Sequence, residues 1–182
     1  MNDERLWAPW RLEYVTGSET SAEATPPPGA WLNGAEQDCF LCRAAADYEP
    51  PTLSDKQLLV VERRELTVAV LNRFPYNNGH LLISPRRHVD DLCAMSLDEH
   101  SECSEQLTRF VGLYRELLNA QGFNIGLNLG RVAGAGVPGH LHWHLVPRWG
   151  GDNNFMPVLA GTRVIPQSLD ALWELIVGAL KE

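Results

Sequence analysis

The chain carries six histidines, and three of them stand at 140, 142 and 144, in the run Gly139-His140-Leu141-His142-Trp143-His144-Leu145-Val146-Pro147-Arg148-Trp149. An imidazole is largely neutral near pH 7 and offers a nucleophilic nitrogen. It can attack a phosphorus centre and carry the transferred group covalently, which splits one difficult displacement into two easier ones. Side chains alternate faces along a β-strand with period two. A strand here therefore lines up His140, His142 and His144 on one face, with Leu141, Trp143 and Leu145 on the other. In a helix the same three would spread around the axis. Three neutral imidazoles in a plain core strand would each need hydrogen-bond partners, so the alternation points to a site. The spacing does not say which of the three attacks.

Two neighbouring patterns could serve that site. The stretch from Asn128 to Val137 contains Gly130, Gly134 and Gly136, whose backbone can approach phosphates closely and offer N–H groups to an anion. Cys39 and Cys42 form a C-x-x-C. A redox role would want a thioredoxin-like βαβ setting, which the chain lacks, whereas zinc wants four nitrogen or sulfur ligands. Two more ligands must then come from elsewhere. His80, after Gly79, is one candidate that strand alternation leaves open. Cys93 and Cys103 have no partner at motif spacing, and Cys103 and His100 read as structural or solvent-facing.

The elements that must hold these residues are legible from periodicity and punctuation. Strands are expected over 58–62, 66–71, 80–84, 123–129 and 141–146, with Pro147 limiting the last. A short helix is expected over 43–48. Ser96 and Glu99 have the spacing of a capping box, so a long helix starts there and runs to Gly122. Leu107, Phe110, Val111, Tyr114, Leu117 and Leu118 form its core face. A C-terminal helix is expected over about 168–181. This order gives an α+β fold, an antiparallel sheet of about five strands with one long helix and a C-terminal helix. One domain is expected over 1–182, with its core at about 58–150. An aromatic segment, Leu6 to Val15, packs on the domain. A mobile loop spans about 16–38, with Trp31 as its anchor.

Composition narrows the function classes. Apolar content of 45% and charged content of 21% suit a globular protein. The formal net charge of −8 argues against a nucleic-acid coat, which needs a basic footprint. No stretch is apolar and long enough to span a membrane. The acidic N-terminus lacks an apolar signal core, so a cytoplasmic protein with reduced cysteines is expected.

The triad, with Leu71-Asn72-Arg73-Phe74-Pro75, Gly79-His80-Leu81-Leu82-Ile83, Pro85 and His88, resembles the histidine-triad (HIT) superfamily. The segment Leu-Trp-Ala-Pro-Trp-Arg near the N-terminus and Gly150 to Phe155 resemble a prokaryotic branch that includes diadenosine tetraphosphate phosphorylases and is similar to fragile-histidine-triad hydrolases. The resemblance implies a HIT-like fold. It also implies nucleotidyl transfer or hydrolysis at the α-phosphate of dinucleoside polyphosphates, with diadenosine tetraphosphate favoured. Nucleoside phosphoramidate hydrolysis and a slow-turnover nucleotide-binding protein are the alternatives. His142 would be the nucleophile and His144 would stabilise phosphoryl oxygens or assist the leaving group, with His140 completing the catalytic triad. Asn72 would bind ribose, and Asn128, Gly134 and Gly136 would contact phosphate beside His142 and His144. Leu71 and Phe74 are candidates near the base, or core. The chain departs from the family at Val137, where many members carry a serine or threonine, and backbone N–H groups or Arg131 would substitute. Cys39, Cys42, His88 and His140 match a structural zinc site, and no organic cofactor is expected. The expected partners are an adenine nucleotide and a second copy of the chain, with Asn153, Asn154 and Phe155 near a shared site.

Overall fold

Each strand expected from the sequence forms, within a residue or two, and together they make a single antiparallel sheet. A computed structural model describes residues 27–48, 51–152 and 165–181. The strands are β1 (Val60–Arg63), β2 (Thr67–Leu71), β3 (Leu81–Pro85), β4 (Gly122–Leu127) and β5 (Trp143–Arg148), in the order β1-β2-β3-β5-β4. The helices are α1 (Phe40–Ala45), α2 (Pro51–Leu58), α3 (Leu97–Leu118) and α4 (Leu169–Ala179). This is the α+β architecture expected, with one long helix and a C-terminal helix. The aromatic segment at 6–15, residues 16–26 and Asn153, Asn154 and Phe155 lie outside the described residues.

β2 and β3 are buried along their whole length, which explains their continuous apolar runs. β4 is an edge strand and is largely exposed. Ser96 caps α3 as read: its hydroxyl accepts the Glu99 N–H, and its own N–H donates to Glu99. Arg87 grips the same carboxylate with two bonds of 2.8 and 3.0 Å, so the turn after β3 is tied to the helix start. Phe110 and Tyr114 are fully buried between α3 and the sheet, while Leu107, Val111, Leu117 and Leu118 are half-buried around them.

Several boundaries moved for physical reasons. Leu58 ends α2 rather than starting a strand, and Leu59, at φ +58°, turns the chain into β1. The helix over 43–48 instead runs from Phe40 to Ala45, with Cys39 at its N-cap. α3 ends at Leu118, because Asn119 adopts the left-handed conformation that terminates helices, and Gly122 already opens β4. Pro147 does not limit β5 but lies inside it, opposite Phe123. It sits beyond Leu145, the last β5 residue paired with β3, so no ladder bond is lost there, and its carbonyl accepts a bond from Asn77.

Candidate active site and metal centre

The paired part of β5 begins at Trp143, two residues later than expected, and His140 and His142 occupy the unpaired approach to it. The Leu141 N–H donates to Val89 and its carbonyl accepts the Ser84 hydroxyl, which holds the approach against β3. The three histidines therefore meet different surroundings. His140 is fully buried, His142 is 7% exposed and His144 is half-buried.

The hydrogen bonds determine where the protons sit. His142 Nδ1 lies 2.8 Å from the His140 carbonyl, which can only accept, so Nδ1 carries the proton and Nε2 keeps its lone pair. Burial lowers the pKa of His142, which keeps it neutral. The second tautomer follows from a chain of three groups. The Tyr76 N–H donates to His80 Nδ1, so His80 carries its proton on Nε2. That N–H points at His144 Nδ1, 2.9 Å away, so His144 carries its own proton on Nε2. Burial pushes His80 down to about 3 and His144 down to about 4, with neighbouring imidazoles adding to both shifts. His144 Nε2 is buried and has no partner among the described residues. A lone pair on His142 and an unspent N–H on His144 thus stand side by side, the ring centroids 5.0 Å apart. His80 was read as a rival metal ligand. The structure puts it instead behind His144, placed there by Gly79, whose φ is +75° and where a Cβ would lie 3.0 Å from Pro147.

His140 is turned the other way. Its Nε2–H donates to the Pro85 carbonyl at 2.9 Å, which leaves the Nδ1 lone pair facing Cys39 Sγ at 3.4 Å and Cys42 Sγ at 3.5 Å. His88 Nδ1 is 3.1 Å from Cys42 Sγ, and its far nitrogen faces the Glu36 carboxylate at 3.5 Å. The ligand atoms of Cys39, Cys42, His88 and His140 all lie within 4.8 Å of one another. A zinc tetrahedron with ordinary bond lengths spans about 3.3–3.8 Å between ligands. The residues therefore fit such an ion, with Pro85 and Glu36 as the outer partners that orient ligating imidazoles. Burial pushes the Cys42 thiol up to about 11. The site is the four-residue set expected, drawn from the start of α1, the turn after β3 and the approach to β5.

The remaining site candidates separate. Asn72 follows β2, with its Oδ1 accepting the Phe74 N–H and its Nδ2 3.2 Å from His80 Nδ1. Leu71 is a core residue, whereas Phe74 is 57% exposed. Asn128 follows the last β4–β5 pair, Leu127 with Trp143, so the register continued by one residue sets it opposite His142. The Gly134 N–H is spent on the Arg131 carbonyl within the short turn Arg131–Ala133, while Gly136 N–H has no acceptor among the described residues. Arg131 is exposed. Val137 packs beside Cys39, Leu41 and Cys42, together with Trp31, so it anchors the glycine-rich loop to the cysteine cluster. Cys103 is buried on α3, Cys93 is exposed, and His100 is spent on the Leu92 carbonyl. The link from His80 to His144 was missed by sequence reasoning. No local pattern signalled it: His80 stands just before β3, and only the pairing of β3 with β5 brings it to His144.

A family model described as HIT domain matches residues 54–151. The chain belongs to the HIT family. It is 39% identical over 166 residues to the AP-4-A phosphorylase of Mycobacterium tuberculosis, covering 91% of this chain and 78% of that one. It is 32% identical over 89 residues to the asymmetrical bis(5'-nucleosyl)-tetraphosphatase of Schizosaccharomyces pombe, covering 49% of this chain and 48% of that one. Among solved structures it resembles a Zn-bound histidine triad family protein from Mycobacterium smegmatis, with TM-score 0.54, 28% identity and coverage of 68% and 86%. These curated relatives are phosphorylase and hydrolase enzymes, and this HIT-family chain is read as an enzyme with them. Among the described residues no helix is long and apolar enough to cross a membrane.

Proposed function

We propose that the protein cleaves dinucleoside polyphosphates, diadenosine tetraphosphate above all, at an α-phosphate through a nucleotidyl-His142 intermediate. The observation that carries this is the pair of complementary nitrogens: a neutral, pre-oriented lone pair on His142 beside a buried N–H on His144 that finds no acceptor among the described residues. An unsatisfied buried donor is costly unless a ligand completes it. A phosphate oxygen does so.

In the first step the His142 Nε2 lone pair forms a bond to phosphorus and the bridging P–O bond breaks. The departing polyphosphate takes the electron pair. His144 donates its Nε2–H to a phosphoryl or leaving oxygen, where negative charge grows. The His140 carbonyl accepts the His142 Nδ1–H and stabilises the imidazolium-like ring that forms once Nε2 is substituted. In the second step phosphate or water attacks the same phosphorus and His142 leaves. Asn128 and the Gly134–Gly136 backbone flank the phosphates and Asn72 binds ribose. With Val137 committed to the cysteine cluster, no hydroxyl stands at that position to assist the leaving group, which places that task on His144.

A zinc ion held by Cys39, Cys42, His88 and His140 would supply structure: four protein ligands leave no open position for water. His140 joins the two halves, since its ring faces the cysteines while its carbonyl holds His142. The reduced cysteines suit a cytoplasmic setting. The exposed edge strand β4, with Ile125 49% exposed, supports pairing with a second copy, which light scattering coupled to size-exclusion chromatography tests.

Product analysis of diadenosine tetraphosphate tests the reaction. ADP plus ATP formed only with phosphate marks a phosphorylase, the outcome we expect from the likeness to the mycobacterial AP-4-A phosphorylase over most of the chain. AMP plus ATP without phosphate marks a hydrolase. Nucleotide binding with neither product rejects the proposal in favour of a binding protein or a phosphoramidate substrate.

A further inference from the structure

We infer that Asn72 is a positioning residue for the proton donor at phosphorus: its amide helps lock the tautomer of His80, and through His80 that of His144. This deepens the reading above and rests on it for the meaning of the donor, but the lock stands on geometry. The Phe74 N–H donates to one end of the Asn72 amide at 3.0 Å, which identifies that end as the oxygen. The NH2 end therefore faces His80 Nδ1, at 3.2 Å. The Tyr76 N–H reaches the same nitrogen at 3.1 Å. Two donors on one ring nitrogen exclude a proton from it. His80 must then donate from Nε2 to His144 Nδ1, and His144 must carry its hydrogen on the Nε2 that has no partner among the described residues.

Asn72 is held for this task. Its backbone N–H donates to the His80 carbonyl at 2.9 Å, closing the 72–80 loop on itself, and its side chain is fixed at both ends. The amide keeps one further N–H and one further lone pair. A ribose hydroxyl bound there would pull on the same group that orders His80. One side chain would thus report a seated nucleoside to the donor beside the reacting phosphorus.

The test separates this from a ribose contact alone. Asn72→Asp keeps the acceptor for the Phe74 N–H but cannot donate to His80. Nitrogen-15 NMR of the histidine rings, without substrate, should show His80 and His144 protonated on Nε2 in the wild type, and His80 gaining a proton on Nδ1 in the variant. Turnover number should fall at least about tenfold, part of what a positioned proton donor contributes. It should fall alike on diadenosine tetraphosphate and on its 2′,3′-dideoxy analogue. Unchanged ring shifts, or a loss that vanishes on the dideoxy analogue, would overturn the lock and leave Asn72 as a ribose ligand. Asn72→Ala removes one of the two donors and leaves the Tyr76 N–H on Nδ1, so if the aspartate variant does not fold it should show His80 as a mixture of Nδ1- and Nε2-protonated rings, and a ring still held wholly on Nε2 overturns the lock. If the wild type turns over neither substrate, the nucleotidyl-transfer reading fails, and the ring shifts alone decide the lock.

Discussion

His140 and His144 are four residues apart on one stretch of chain, both imidazoles, both depressed to about 4 mainly by burial. Their surroundings part them. His140 spends its N–H on Pro85 and turns its lone pair to two thiols, in a cluster closed by His88. His144 spends its lone pair on His80 and is left with an N–H that has no acceptor among the described residues. The first arrangement is complete once a cation sits in it. The second is complete only when an acceptor arrives. In the mechanism we propose, opposite tautomers on the same residue type give one group a holding task and the other a task at the substrate.

That contrast is tested most severely at the residue between them. His142→Ala should lower turnover of diadenosine tetraphosphate by about 10⁴-fold or more, as removal of a nucleophile does elsewhere. It should leave metal content, read by elemental analysis, unchanged. Loss of metal in that variant would merge the two clusters into one. His144→Ala removes only the donor. Steady-state kinetics should show turnover falling about 10²–10³-fold with little change in KM, the size of one transition-state hydrogen bond. On the other side, elemental analysis should find zinc in the wild type, and Cys42→Ser should lack it and melt at least about 4 °C lower, equivalent to about 1–2 kcal/mol for a domain of this size. A variant that kept its zinc and its midpoint would leave the cysteine cluster without a structural role.

The pH dependence is gentler and its sign follows from burial. His80 and His144 resist protonation in the folded state, with values of about 3 and about 4, while an unfolded histidine takes a proton near 6.5. Above that value both states are neutral there, and their contribution to stability is full and constant. Below it the unfolded chain binds more protons, so stability falls as pH drops from about 6.5 toward about 4. Thermal melts across that window should show the decline, and the two rings should show no titration by NMR between pH 7 and 5. The smallest effect belongs to Cys93→Ser. Cys93 is exposed and lies outside both clusters, so metal content and turnover should stay within about twofold of wild type, as surface substitutions usually do.

The capping box at Ser96 and Glu99 and the apolar runs of β2 and β3 were readable in the chain, because each is a local pattern whose period matches its element, whereas the alternation at 140–144 marked the site although only His144 lies within paired β5. The four metal-site residues were recovered by likeness to relatives, and the structure brings them together as expected. What local pattern could not show was the role of His80. It lies 64 residues from His144, and strand alternation alone could not exclude it as a rival metal ligand. Pairing of Leu81 with Leu145 and Leu82 with His144 carries it to the His144 ring. The helix ends were also misplaced, since Asn119 terminates α3 in a conformation that glycine was expected to supply at Gly122.

Residue types and spacing were enough to establish that this chain builds an antiparallel sheet with an array of imidazoles at one strand, since period and punctuation are written in neighbouring residues. Which nitrogen of each imidazole holds its proton was decided only by the tertiary structure. A tautomer is set by the partner on the other ring nitrogen, and those partners, Pro85 for His140, His80 for His144 and Tyr76 for His80, come from other strands and loops.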